Sequence, residues 1–510
     1  RTVMKRRRNS GALGTEKDKE ATEKVENEEV QRAGRSITDL PGNIVINILI
    51  KLSIKRIVIC RCVCKSWCNL ISSPKFAKLH FERAPMWPLL RTNDPKRVSR
   101  TLYLVEPEDD CDFDFGYCMC DPGDFDSDSH VHMKLDTKFK LPLRDSEMVL
   151  SNEYDDSVMW RNTKHGAKKK RFVSLKPKDH KFGIVNSCNG FLCLCEPSQK
   201  NPVVVCNPVT GEYIKLPEAS KVENSKALIV SGLGFSPKTN QYKVIRIFDQ
   251  WSYDPAAGNK WFAAEIHTLG TGSWKSIGSA PESPFCLKFP TYLNGALHWF
   301  CAYLEVIIAF DIEKEQFQSI PSPAHQRCCS KLDNISMGVL RGCLSICDAS
   351  CYDPIDIWVM KNYGVQESWT KEFSIDTSTA DRWPYGLYQP IEYFNNGALL
   401  MFHSINCLIY YGPTKFGFKY LKIRGVQYLS KKKIRGVQSK FEVIAYIPSF
   451  ISLKDSLIGD NGEWLNVKSR CAKLNLREES QGLFLVEENR DLASADSNSS
   501  SYDSEEWENH

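Results

Sequence analysis

The chain has 510 residues, 42% of them apolar, and a formal net charge of +5. That length accommodates two or three domains, and so small a charge gives no reason to expect nucleic acid as a partner. No stretch of 18 or more apolar residues occurs and the first residues are basic and then acidic, so neither a membrane span nor a secretory signal is expected.

Residues 1–35 are charged and polar with little apolar content, which predicts a disordered tail. Lys5-Arg6-Arg7-Arg8 within it is a weak candidate for a nuclear signal, with a solvated tail as the plainer reading. Residues 36–83 form a helical module. Ile44, Val45, Ile48, Leu49 and Leu52 fall on one stripe of a helix, with Pro41 suited to its first turn and Asp39 to its positive N-terminus. Ile57, Val58 and Val63 make a second apolar cluster, and Trp67, Leu70 and Ile71 a third at helical spacing. Ser73-Pro74 reads as an N-cap and first-turn proline opening a further helix, with Phe76 and Leu79 inward. So small a unit buries little surface of its own, and its leftover apolar face asks for a partner.

Residues 84–181 carry two charged excursions. Residues 106–128 hold acids from Glu106 to Asp128 and no Lys or Arg. Residues 161–181 hold a basic run, Lys168, Lys169, Lys170 and Arg171, against a single acid, Asp179. We expect these loops to face each other or flank one end of the fold and polarise it, with the basic run a solvated loop by default, and a nuclear signal or a candidate target-binding surface as the alternatives. Asp124, Asp126 and Asp128 mimic a calcium loop, but Ser129 stands where its glycine belongs and Leu135 where its glutamate belongs, so calcium is not expected.

From residue 182 to 453 the chain repeats. Asn189-Gly190 is echoed by Asn294-Gly295 and Asn396-Gly397. Asn207 precedes Tyr213 and Pro217 by the same offsets at which Asp311 precedes Phe317 and Pro321. A spacing near 100 fits two four-stranded blades of about 40–50 residues each. The fold class is therefore mainly β with a small all-α N-terminal module. The β part is a propeller of about six blades, and the stretch from Phe441 to Leu453 returns to close its first blade. A β-sandwich of similar length is the alternative. Residues 454–510 form a C-terminal extension, expected to be disordered from about 491. Lys422 to Gln427 recurs as Lys433 to Gln438, a local duplication.

Two resemblances follow. Leu40-Pro41, Ile44-Val45, Ile48-Leu49, Leu52, Arg61 to Trp67 and Leu70-Ile71 resemble an F-box, the motif that binds SKP-family adaptors. The Cys62-Val63-Cys64-Lys65-Ser66-Trp67 core is typical of plant members. The chain departs from that pattern at Gly42-Asn43, where an acidic residue is usual, and at Leu52-Ser53, where Leu-Pro is usual. Residues 182–453 look like the F-box-associated, kelch-like domain of plant F-box proteins. Its landmarks here are Ser187 to Cys193, Asn207 to Gly211, Leu293 to Trp299 and Val359 to Val365.

The resemblance implies a non-catalytic substrate-recognition subunit of an SCF-type ubiquitin ligase. The F-box would bind the SKP-family adaptor, and through it cullin and its RING protein, and the propeller would bind an unknown target protein. The adaptor-binding residues it implies are Leu40, Pro41, Ile44, Ile48, Leu49, Leu52, Val63, Trp67, Leu70 and Ile71. The protein would then act in the cytoplasm, the nucleus or both. The rival readings are an adaptor-binding scaffold outside any ligase and a propeller enzyme or ligand-binding protein.

No cofactor is expected, because nucleophile elbow, phosphate loop and metal triad are all missing from the sequence. His267, His298 and His403 read as strand residues with satisfied hydrogen bonds. The cysteines have no paired two-residue spacing of a zinc module, so they read as reduced thiols used in packing and no metal is expected.

Overall fold

The computed structural model describes residues 40–92, 101–107, 133–142, 161–162, 168–169, 182–196, 200–220, 222, 228–250, 261–301, 303–323, 334–350, 354–376, 386–394, 397–403, 407–412, 418–425, 441–457, 464–466 and 483–487. They fall into two compact units. One holds the N-terminal helices to Ile71, apart from Ser53–Lys55, and the other the remainder.

Helix α1 runs Gly42–Leu49, α2 Ile54–Cys60, α3 Lys65–Ile71 and α4 Pro74–Phe81. Pro41 sits one residue ahead of α1 rather than inside it, and its carbonyl accepts from the backbone N–H of Ile44 and Val45. The Cys64 sulfur accepts from the backbone N–H of Trp67 at 3.5 Å, so this cysteine acts as a cap at the start of α3. Ser73 caps α4 as its sequence predicts, its Oγ accepting from Phe76 N–H at 3.2 Å with Pro74 in the first turn. Helix α4 belongs to the second unit, where Phe76 and His80 pack edge-on against Phe450.

The second unit is a six-bladed propeller. Each blade is an antiparallel sheet whose innermost strand is, in order round the ring, Phe441–Tyr446, Gly183–Cys188, Ile229–Ser236, Leu287–Leu293, Ile335–Leu340 and Tyr388–Tyr393. The first blade takes its inner strand from the far end of the chain. Phe441–Tyr446 pairs antiparallel with Trp87–Thr92, and Thr101–Pro107 and Met133–Lys140 follow outward. This is the closure expected of the stretch from Phe441, and it spares the ring an open edge. Two short strands lengthen other blades at their outer edges. Trp464–Asn466 pairs with Glu212–Lys215, and Leu483–Glu487 with Phe418–Gly425.

The repeat in the sequence has a local cause. Asn189 and Gly190 both take positive φ, as do Asn294 and Gly295, which gives the tight turn between the first two strands of blades two and four. The Oδ1 of Asn207 accepts from Val209 and Thr210 N–H, and that of Asp311 from Glu313 and Lys314 N–H. One side chain therefore shapes the last hairpin in both blades. The prolines ten residues on are tied in the same way. The indole N–H of Trp274 donates to the Pro217 carbonyl at 2.9 Å, and that of Trp369 to Pro321 at 3.0 Å. Asn396 lies outside the described residues, as does the second copy of the Lys422 to Gln427 duplication.

The core lies between neighbouring blades. Ile245, Ile247 and Ile266 of the third blade pack on Leu297, Trp299 and Phe310 of the fourth. Strands buried on both faces explain runs such as Phe191–Cys195 and Ala296–Cys301, where every residue is buried instead of every second one. Cys193, Cys206 and Cys347 sit in this core, and burial pushes their thiols up, so they serve as small apolar residues. No helix among the described residues is long and apolar enough to cross a membrane.

Candidate functional site

The helical unit divides the apolar residues of α1 between two faces. Val45 and Leu49, one turn apart, are buried, as are Ile46 and Ile50. Leu40, Ile44 and Ile48, also spaced by one turn, are turned outward, Ile44 and Ile48 each 42% exposed. The single stripe drawn from the sequence is thus two stripes, an inner and an outer.

The ten residues implicated in docking separate accordingly. Leu40, Pro41, Ile44, Ile48 and Val63 are exposed, Val63 to 61%. Leu52, Trp67 and Leu70 are half-buried, and Leu49 and Ile71 are buried. Helix α1 rests on α3, and a Cβ at Gly42 would meet the Leu70 side chain at 3.7 Å. Leu49 and Ile71 therefore belong to the unit's own core, while the outer set stands on its surface.

The pattern missed two exposed residues, Val58 and Ile59 of α2. The signal was present, since Ile57-Val58-Ile59 is too long an apolar run for one helix face and only Ile57 turns inward. The face has a definite charge. Residues 40–71 contain no Asp or Glu, while Lys51, Lys55, Arg56 and Lys65 are exposed. An apolar stripe in a stretch whose exposed charges are basic fits a partner of acidic surface.

The propeller offers a second surface. Phe285, on the connection into the fourth blade, is 78% exposed, and Tyr303, on that blade's second hairpin, is 80% exposed with Leu304 beside it. Alternation of strand direction puts both connections at the same end of the blade. Of the basic run, Lys168–Lys169 forms a short strand against Arg161–Asn162. Lys170 and Arg171, the acidic loop from 108 to 132 and the Asp124 to Asp128 run lie outside the described residues. His267, His298 and His403 are buried within the sheets. His267 Nδ1 is 3.0 Å from the Ser273 carbonyl. His298 Nδ1 is 3.1 Å from the Thr291 carbonyl, with its Nε2 2.7 Å from the Tyr363 hydroxyl. His403 lies against the Tyr388 ring at 4.4 Å between centroids.

Two family models match the chain. One, the F-box domain, covers residues 37–79, and the other, the F-box associated beta propeller domain, covers residues 141–453. The chain belongs to the plant F-box protein family. Among its relatives, F-box protein At3g07870 of Arabidopsis thaliana is 30% identical over 298 residues, which is 50% of this chain and 69% of that protein. F-box/kelch-repeat protein At3g23880 of the same plant is 24% identical over 68% of this chain and 82% of its own length. F-box protein CPR1, also from Arabidopsis thaliana, is 24% identical over 66% of this chain and 73% of its own. The F-box implies binding of an SKP-family adaptor in general, and the pair of domains supports a substrate-recognition adaptor, in a family whose members are typically non-catalytic.

Proposed function

We propose that this F-box protein is the substrate-recognition subunit of an SCF-type cullin-RING ubiquitin ligase. The observation that carries the reading is the outward stripe of Leu40, Ile44 and Ile48, in a stretch, residues 40–71, whose exposed charged side chains are all basic. Exposed apolar residues on so short a stretch have no role in the unit's own core. They gain by burial at about 25 cal/mol per Å² of apolar area. The SKP-family adaptor takes this face, with Pro41 and Val63 at its margins, and brings cullin and the RING protein with it. Asn43, where an acidic residue is usual, gives up a polar contact with the adaptor and leaves every apolar anchor in place.

The propeller holds the target protein, and the exposed Phe285, Tyr303 and Leu304 are its best-placed aromatic and aliphatic anchors. The chain does no chemistry itself. It raises the effective concentration of target lysines beside a charged conjugating enzyme.

The test is co-purification of the full chain with an SKP-family adaptor and cullin, wild type against Leu40→Ala/Pro41→Ala. A complex with the wild type that is lost in the double variant supports the reading. Absence of a complex with well-folded wild type overturns it. An adaptor complex that excludes cullin would leave a scaffold instead of a ligase subunit.

A further inference from the structure

Three ligand-type side chains meet at one end of the fourth blade. Glu282 and Cys286 lie on the connection from Lys275–Ser279, the outer strand of the third blade, to Leu287–Leu293, the inner strand of the fourth. Cys301 ends the next strand, Ala296–Cys301, and is paired with Leu287. That register brings Cys286 alongside Cys301. A turn in which Cys286 N–H donates to the Ser283 carbonyl at 2.9 Å folds Glu282 back toward them. A carboxylate oxygen of Glu282 and the two sulfurs all lie within 4.8 Å of one another. Both thiols are free, Cys301 is buried, and Cys286 and Glu282 are half-buried.

We propose that Glu282, Cys286 and Cys301 bind a zinc-type divalent cation. Two sulfurs and one carboxylate oxygen suit a borderline-soft metal and not magnesium or calcium, which take oxygen alone. Metal–sulfur bonds of about 2.3 Å in a tetrahedron place ligand atoms roughly 3.8 Å apart, so the cluster needs to contract by only about 1 Å. Binding releases the two thiol protons to solvent, changes no oxidation state, and leaves the fourth position to water. The site would pin the connection carrying Phe285 to the hairpin carrying Tyr303 and Leu304. It stands whether or not those residues touch a target.

The test uses the reduced full-length chain, stripped with a chelator and titrated with cobalt(II). We expect a thiolate-to-cobalt charge-transfer band that saturates at one equivalent and is displaced by zinc. Cys286→Ser and Cys301→Ser should each lose the band, and Glu282→Gln should weaken binding while keeping it. The half-buried Cys286 serves if Cys301→Ser fails to fold. Serine at Cys60, Cys62, Cys64 and Cys68 together should leave the band intact. Absence of a band from folded wild type, or its survival in folded Cys286→Ser, would overturn the proposal.

Discussion

Asn207 donates from its Nδ2 to the backbone carbonyl of Ser449 at 3.0 Å, across 242 residues of chain. The same amide reaches the Ile451 carbonyl at 2.8 Å, while its Oδ1 holds the turn at Val209. Asn207 is fully buried, so every one of these bonds is made out of water. It fastens the second blade to the segment that follows the closing strand. The Tyr446 hydroxyl adds to the fastening by donating to the Gly190 carbonyl at 3.0 Å.

Asn207→Ala should therefore cost about 2–3 kcal/mol, the penalty for orphaned buried carbonyls together with the lost turn. Asn207→Asp should cost at least as much, since it keeps the turn acceptor and sets a carboxylate against two carbonyls. Denaturant unfolding reads both. A Tm and midpoint unchanged in either variant would remove Asn207 from the closure.

Gly190 is the complementary half of that contact. Its φ is +84°, and a Cβ there would run into the Ser449 side chain. Gly342 has a similar φ of +72°, but a Cβ there would meet nothing within 4 Å. Gly342→Ala should cost about 1 kcal/mol, the conformational penalty alone. Gly190→Ala carries the same penalty and must also displace the closing segment, so its loss should be clearly larger. Equal losses in thermal unfolding would show that the closing segment yields without cost.

In the helical unit, surface and support give opposite signatures. Ile44→Asp and Ile48→Asp change exposed positions and should abolish adaptor pull-down with little change in unfolding. Leu49→Ala and Ile57→Ala empty buried positions and should cost about 2–4 kcal/mol of that unit's stability. Their effect on adaptor binding should track the fraction folded. Retained pull-down with both aspartate variants would remove the outer stripe from the interface.

Much of this was legible in the residues, and for identifiable reasons. The turn and anchor positions repeated every second blade because Asn-Gly, Asn207, Asp311 and the prolines at 217 and 321 each do a backbone job that few residue types can do. Apolar spacing could not decide which face of α1 turns outward. Ile44 and Val45 are adjacent and equally apolar, and the choice depends on where α3 lies. The meeting of Cys286 with Cys301 was hidden for a related reason. It is set by the pairing of Leu287 with Cys301, a matter of strand register and not of motif spacing.

Glu392 gives the propeller a pH dependence of defined sign. Burial pushes its carboxyl up to about 7, opposed by backbone hydrogen bonds from Tyr393 and Met86 and by the charge of Arg341. Below the ordinary carboxyl range it is protonated in both folded and unfolded chains and carries no penalty. As pH rises the unfolded chain ionises first, so its contribution to stability falls until the folded carboxyl has ionised too, above about 7. The penalty at pH 8 is on the order of 3 kcal/mol. His80 and His298, both held down to about 4 by burial, act in the other direction. They favour the fold above the ordinary histidine range and withdraw that support as pH falls toward 4. Stability should thus peak in mildly acidic solution. Glu392→Gln should raise the unfolding midpoint at pH 8 and gain nothing near pH 4, where its carboxyl is already protonated. An equal gain at both values would tie the effect to packing and not to charge.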